Sequence, residues 1–259
     1  MTGSKKRNAF LFDVDGVLTK PIVSKPAKSI IDTSIFPLFQ RLNELGDFIT
    51  FVTGRSNCWM DEKLFSVIPK HLIVDIPIFL EYGLLLFYKN HFSLAEEGKM
   101  FRHTYYNKLI ETISDLAKAK GIFFETDITY CDYPSHGSMW IEKKQAMLSI
   151  ANNEKVLAEN IHNLMKKLPI SLKSNIRVNP HHIGIDFLPK GWGKSKASEI
   201  IKKSFLNPKL VNNWFVFGDN ISDKEMCKPL DNSTFIKIGK GASEETKAWL
   251  LDYIKKKIN

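Results

Sequence analysis

Cysteine is scarce in this chain. Three residues in 259, at positions 58, 131 and 227, are odd in number, widely spaced and free of any Cys-x-x-Cys pair. That pattern argues against a disulfide framework and a zinc ribbon, and the three read as buried or incidental thiols. Long apolar runs are also missing: none approaches the roughly 20 residues of a membrane-spanning helix. The few apolar residues before Asp13 are too short for a signal-peptide core, so the expectation is a cytoplasmic protein without a membrane partner. No arginine-rich tract, zinc-finger spacing or low-complexity linker occurs, and nothing singles out nucleic acid as a partner. A P-loop is excluded as well, because Gly193-Lys194-Ser195 has Leu188 where that motif needs glycine.

What remains is a globular composition with 44% hydrophobic and 25% charged residues, long enough for one large domain or two ordinary ones. The net charge of +9 suits nucleic acid, an anionic surface or small phosphorylated ligands, and charge alone does not separate them. The lysines are dispersed. Only Lys255–Lys257 form a cluster, which reads as a solvated helix end.

The stretch from Phe10 to Thr19 stands out, because an apolar run that ends in Asp13, Asp15 and Gly16 reads as a buried strand delivering acids to a loop. If strand geometry persists, both carboxylates lean to one side and repel unless a cation lies between them. The spacing is wrong for an EF-hand, since Gly16 falls at position 4 and Val17 at position 5.

The chain then alternates. A helix is expected over Ser34–Gly46, a strand over Phe48–Val52, Thr53-Gly54-Arg55-Ser56 and a helix to about Ile68, then strands near Leu72–Val74, Ile78–Leu80 and, after the break Glu81-Tyr82-Gly83, Leu84–Tyr88. From there the rhythm is α+β: a helix over Tyr105–Lys120, extended segments over Ile122–Thr126 and Ser138–Ala151, the latter one strand or a hairpin, a helix over Glu154–Lys167, and strands near Ile176–Val178 and Ile183–Leu188. After Pro189 come a helix from about Lys194 to Phe205, strands over Trp214–Gly218 and Thr234–Ile238, and a helix over Ser243–Lys257. The fold class expected is α/β: a Rossmann-like doubly wound parallel sheet core of residues 1–88 and 189–259, with an inserted α+β cap domain of residues 89–188.

In an open parallel sheet the ligand crevice lies at the carboxyl ends of the strands, which gathers Asp13, Asp15, Thr53, Asp219 and Asp223. A lysine from Lys190, Lys194 or Lys196 adds a cation, and the set suits phosphoryl transfer with Mg²⁺, a hard oxygen-seeking ion. Neighbouring His181 and His182 point to opposite strand faces and read as structural.

Together these segments resemble the haloacid dehalogenase superfamily of phosphotransferases. Asp13-Val14-Asp15-Gly16-Val17-Leu18-Thr19 is similar to its first motif, Thr53-Gly54-Arg55 to its second, Lys194 to its third and Gly218-Asp219-Asn220-Ile221-Ser222-Asp223 to its fourth, in that order. The insertion resembles the type 2 cap of the subfamily with Cof-type, trehalose-phosphate and sucrose-phosphate phosphatases and phosphomannomutases. The resemblance implies Asp13 as nucleophile, Asp15 as general acid/base, and Thr53, Gly54 and Lys194 around the phosphoryl group. It implies Mg²⁺ on Asp13, Asp219, Asp223 and Asp15, the last through its backbone carbonyl, and substrate contacts from Arg55, Lys144 and Lys190. Lys144 stands where the mutases have an arginine, whereas Thr53-Gly54-Arg55 is the phosphatase form of the second motif and Glu142-Lys143-Lys144 resembles the trehalose-phosphate phosphatases. The function implied is a Mg²⁺-dependent phosphatase of a small phosphorylated substrate, a sugar phosphate, acting as a monomer or homodimer. The alternatives are a sugar phosphomutase and a non-catalytic phosphate-ligand binding protein.

Overall fold

A computed structural model describes residues 6–21, 29–131, 139–152, 166, 168–181 and 184–259. The chain forms two compact units, the first of Met1–Gly54, Met60–Phe92 and Gly193–Asn259, the second of Arg55–Trp59 and Ser93–Trp192.

The first unit is built on a sheet whose strands are β1 (Arg7–Phe12), β2 (Phe48–Val52), β3 (Ile78–Leu80), β4 (Leu85–Tyr88), β5 (His91–Leu94), β11 (Val211–Gly218) and β12 (Ser233–Lys237). Their order is β12-β11-β1-β2-β3-β4-β5, with parallel pairing from β12 to β3, β1 in the middle of those five parallel strands, and β4 antiparallel to β3. Because β1 is buried on both faces, its alternate residues feed two cores. Phe10 and Phe12 stack with Phe217, and Phe39, Trp249 and Tyr253 cover them from the helices Phe36–Glu44 and Ser243–Ile258. Ala9 and Leu11 face the other way, onto Ala197 and Ile201 of the helix Lys194–Ser204 and onto Met226. The sheet is therefore doubly wound, as expected.

The second unit carries β6 (Phe124–Tyr130), β7 (Met139–Glu142), β8 (Leu148–Asn152), β9 (Ile176–His181) and β10 (Gly184–Pro189) in the order β6-β7-β8-β10-β9. Its two faces differ in chemistry. Met139, Ile141, Leu148, Ile150, Ile185 and Phe187 pack under Leu109, Ile113 and Ala117 of the helix Asn107–Lys118. On the opposite face the register aligns Glu142, Ser149, Asp186 and Asn179 across four strands.

Several expectations need correction. Leu72–Val74 is not a strand, because Lys70–Ile73 forms a short helix started by extended Pro69, with Leu72 and Ile73 buried. The strand set at Ile122–Thr126 begins later, at Phe124, since Ile122 still donates its N–H to the Ala117 carbonyl at 3.0 Å to close the preceding helix. β5 was not anticipated, and the helix expected from Tyr105 is preceded by a further helical run that begins at Glu96. Cys58 and Cys131 are not separate thiols but a disulfide with its Cα atoms 5.5 Å apart, inside the normal range for such a bond. Cys227 is free. The helix expected over Glu154–Lys167 lies almost wholly outside the described residues, as do His182, Ile183 and Ser138.

Candidate active site

Parallel pairing of β1 with β11 sets Phe12 beside Phe217, so Asp13 follows its strand opposite Gly218 and Asp219 comes one residue further along the adjacent strand. The Asp13 N–H donates to the Phe217 carbonyl at 2.9 Å and fixes where its side chain departs. Strand geometry does not persist to Asp15. The chain turns at Val14, whose carbonyl accepts the Leu18 N–H at 2.9 Å, and burial of Val14, Val17 and Leu18 drives that turn. Asp15 accepts a hydrogen bond from the Ser29 hydroxyl at 3.1 Å. Gly16 has a left-handed φ of 67°, and a Cβ there would collide with the Asp219 carboxylate, so only glycine admits that acid so close to the turn.

Lys194 opens its helix with its side chain buried and its ammonium between two acids, 2.8 Å from Asp13 Oδ1 and 2.7 Å from Asp223 Oδ1. Asp223 is aimed by its own backbone context: it sits at the third position of the turn Ile221–Cys227 and accepts the Asn220 N–H at 2.9 Å in a capping box. Carboxylate oxygens of Asp13, Asp219 and Asp223 all lie within 4.8 Å of one another. Three acids against one lysine leave a negative excess, and like charges at about 4 Å repel by roughly 4 kcal/mol at an effective dielectric near 20. Burial pushes the Asp13 carboxyl up to about 8; Lys194 opposes this, and Asp223 and Asp15 add to it. Burial alone would depress the Lys194 ammonium, but the attraction of Asp13 and Asp223 outweighs it and holds the group above the ordinary lysine range. A cluster of hard oxygen donors with unbalanced negative charge and no histidine fits a divalent cation such as Mg²⁺.

Thr53 is buried at the end of β2, with its N–H donating to Phe79 and its carbonyl accepting from Tyr82, both at 2.9 Å. Gly54 follows, against the Tyr82 ring. Arg55, Lys144 and Lys190 belong to the second unit. Lys144 is buried just past β7 and pairs with Glu142 at 3.1 Å, with Arg55 4.0 Å from the same carboxylate oxygen and stacked over the Trp59 ring. Lys190 is exposed in the turn after β10. Asn220 and Tyr82 were not among the expected site residues. Asn220 carried a legible signal, an Asn three residues before an acid at a helix start.

Neither a protein-family model nor a curated protein matches the sequence. Solved structures do match in fold. The C-terminal domain of C. albicans trehalose-6-phosphate phosphatase is 16% identical with a TM-score of 0.68, over 97% of this chain and 93% of that one. A trehalose-6-phosphate phosphatase related protein is 17% identical with a TM-score of 0.61, over 97% and 99%. A haloacid dehalogenase-like hydrolase from Bacteroides thetaiotaomicron is 12% identical with a TM-score of 0.59, over 97% and 99%. At these identities the likeness defines the class by fold: an α/β chain with the Rossmann-like architecture of haloacid dehalogenase-like hydrolases. No helix among the described residues is long and apolar enough to cross a membrane.

Proposed function

We propose that this chain is a Mg²⁺-dependent phosphatase of a small phosphomonoester, working through an aspartyl-phosphate. The observation that carries the reading is Lys194 held between buried Asp13 and Asp223 beside Asp219, where parallel strands end. Asp13 attacks phosphorus, the P–O bond to the leaving group breaks, and Asp15 gives that oxygen a proton. Asp15 then takes a proton from water as the water attacks phosphorus, which releases phosphate and restores Asp13. Thr53, Gly54 and Lys194 hold the phosphoryl oxygens. Mg²⁺ held by Asp13, Asp219 and Asp223, with the Asp15 backbone, would supply the positive charge that lets a carboxylate approach a phosphate. A sugar phosphate as substrate is supported by the fold shared with trehalose-6-phosphate phosphatases and by polar residues on one face of the second unit's sheet. Arg55, Lys144 and Lys190 are the candidates for reading its leaving group.

A panel of phosphomonoesters assayed with Mg²⁺ and with chelator tests the reading. Wild type should release phosphate only with the ion. Asp13→Asn should abolish turnover while still binding phosphate, and Asp15→Asn should slow it by about 10²–10⁴. Substantial turnover by Asp13→Asn would refute the covalent route, and interconversion of sugar 1- and 6-phosphates without phosphate release would make the chain a mutase.

A further inference from the structure

Three consecutive residues between β3 and β4 have positive φ: Glu81 at 49°, Tyr82 at 61° and Gly83 at 91°. Only the last is a glycine. L residues visit this region at an energetic penalty and normally one at a time. A connection between antiparallel strands paired through Leu80 and Leu85 can close around an ordinary type I turn, so the hairpin itself does not require such a run. The Lys89 and Asn90 pair that follows β4 is different, being the two-residue left-handed turn that a tight hairpin favours.

The contacts of the turn indicate what it achieves. Tyr82 N–H donates to the Thr53 carbonyl at 2.9 Å, while the Thr53 N–H is held by Phe79 on β3 at 2.9 Å, so Thr53 is pinned from both sides by one segment. The hydroxyl end of the Tyr82 ring lies against Gly54, where a Cβ would be 2.8 Å from its Cζ. On the other side Gly83 packs on the helix that Lys194 opens, where a Cβ would sit 2.8 Å from Ala197 Cβ and 3.1 Å from its Cα. A single strained turn thus touches Thr53, Gly54 and the first turn of the Lys194 helix, all within the first unit.

We propose that the Glu81–Gly83 turn sets the spacing between the two phosphate-binding elements, and that Tyr82 is a positioning residue for Thr53 and Gly54. This rests on the phosphatase reading of the site. Strain is retained here because a relaxed turn would release both elements from their common support. The phosphoryl group would then bind with its oxygens displaced from the line of attack, and the loss would appear chiefly in kcat.

The test compares Tyr82→Asn with Tyr82→Phe, assaying p-nitrophenyl phosphate hydrolysis with Mg²⁺, binding of inorganic phosphate by calorimetry, and thermal melting. Asparagine tolerates left-handed φ and keeps the backbone N–H, but it has no ring to set against Gly54. The expectation for Tyr82→Asn is a kcat about 100-fold lower and phosphate binding about tenfold weaker, because displacement on the ångström scale is enough to misalign attack. Its melting temperature should stay within about 4 °C of wild type. Tyr82→Phe, which keeps the ring, should remain within about threefold of wild-type kcat. Near-normal kcat in Tyr82→Asn would overturn the proposal. So would a loss that merely follows a lowered melting temperature, or equal damage in Tyr82→Phe, which would assign the effect to the hydroxyl. A wild type that neither hydrolyses esters nor binds phosphate would refute the reading of the site, an outcome read on wild type alone.

Discussion

Asp13 carries a burden that shows in its own protonation. Buried among acids with Lys194 as the cation in contact, it is held near pH 8, far above the 3.8 of a free aspartate. A carboxyl raised in the folded state favours folding while protonated, so the metal-free protein should lose stability as pH climbs from about 4 towards 8. A divalent ion held there as proposed would offset that loss. Mg²⁺ should therefore raise the melting temperature more at pH 8 than at pH 6, and metal-free Asp13→Asn, with no charge to bury, should melt above metal-free wild type at pH 8. Equal Mg²⁺ shifts at both pH values would show that the ion does not compensate this acid. The identities of these residues were legible in the sequence: an acid pair after an apolar run, and a second pair after Trp214–Gly218. Their geometry was less so. The sequence placed both acids on a loop after a strand without fixing their mutual direction, and burial of Val14, Val17 and Leu18 bends the chain between them.

At the scale of elements, the closing helix Ser243–Ile258 does more than cover the aromatic face of the sheet. Its first residues grip the loop that carries Asp13: Ser243 N–H donates to the Thr19 carbonyl at 3.1 Å and the Thr246 hydroxyl to the Val17 carbonyl at 2.9 Å. Asp32 completes the grip, accepting from the Ser243 hydroxyl and from Lys247, both at 2.9 Å, and from Ser34 at 2.7 Å. Burial would raise its carboxyl, but hydrogen bonds from Lys247, Ser34 and Ser243 prevail and hold it well below the ordinary 3.8. A depressed acid stabilises the fold above its unfolded value and loses that contribution as pH falls through its folded one. Asp32→Asn should thus cost about 2 kcal/mol at pH 7, the scale of a hydrogen-bonded charge. In urea titrations the gap to wild type should narrow as pH drops from about 4 to 3; a constant gap would mean that the charge contributes nothing. Helices and strands of this size were readable because each shows several repeats of its period. Lys70–Ile73 has one turn, too short to distinguish from a strand, and in Glu81-Tyr82-Gly83 the glycine announced a break without revealing that its neighbours share its handedness.

Across the whole molecule, the disulfide is the feature least visible beforehand, since 73 residues separate Cys58 from Cys131 and only tertiary placement unites them. It joins the short segment Arg55–Trp59, which directly follows Thr53 and Gly54, to the end of β6 within the second unit. In chain-entropy terms, closing a loop of this length disfavours the unfolded state by about 4 kcal/mol. In a reducing compartment that contribution is absent. The bond also turns residues 58–131 into a covalent ring, and a ring survives one cut. Lys89 is exposed in the tight turn between β4 and β5, so limited trypsin should nick the chain there. The nicked protein should keep its full mass on a gel without reductant and fall into two pieces once the sulfurs are reduced; two pieces without reductant would mean that the ring was never closed.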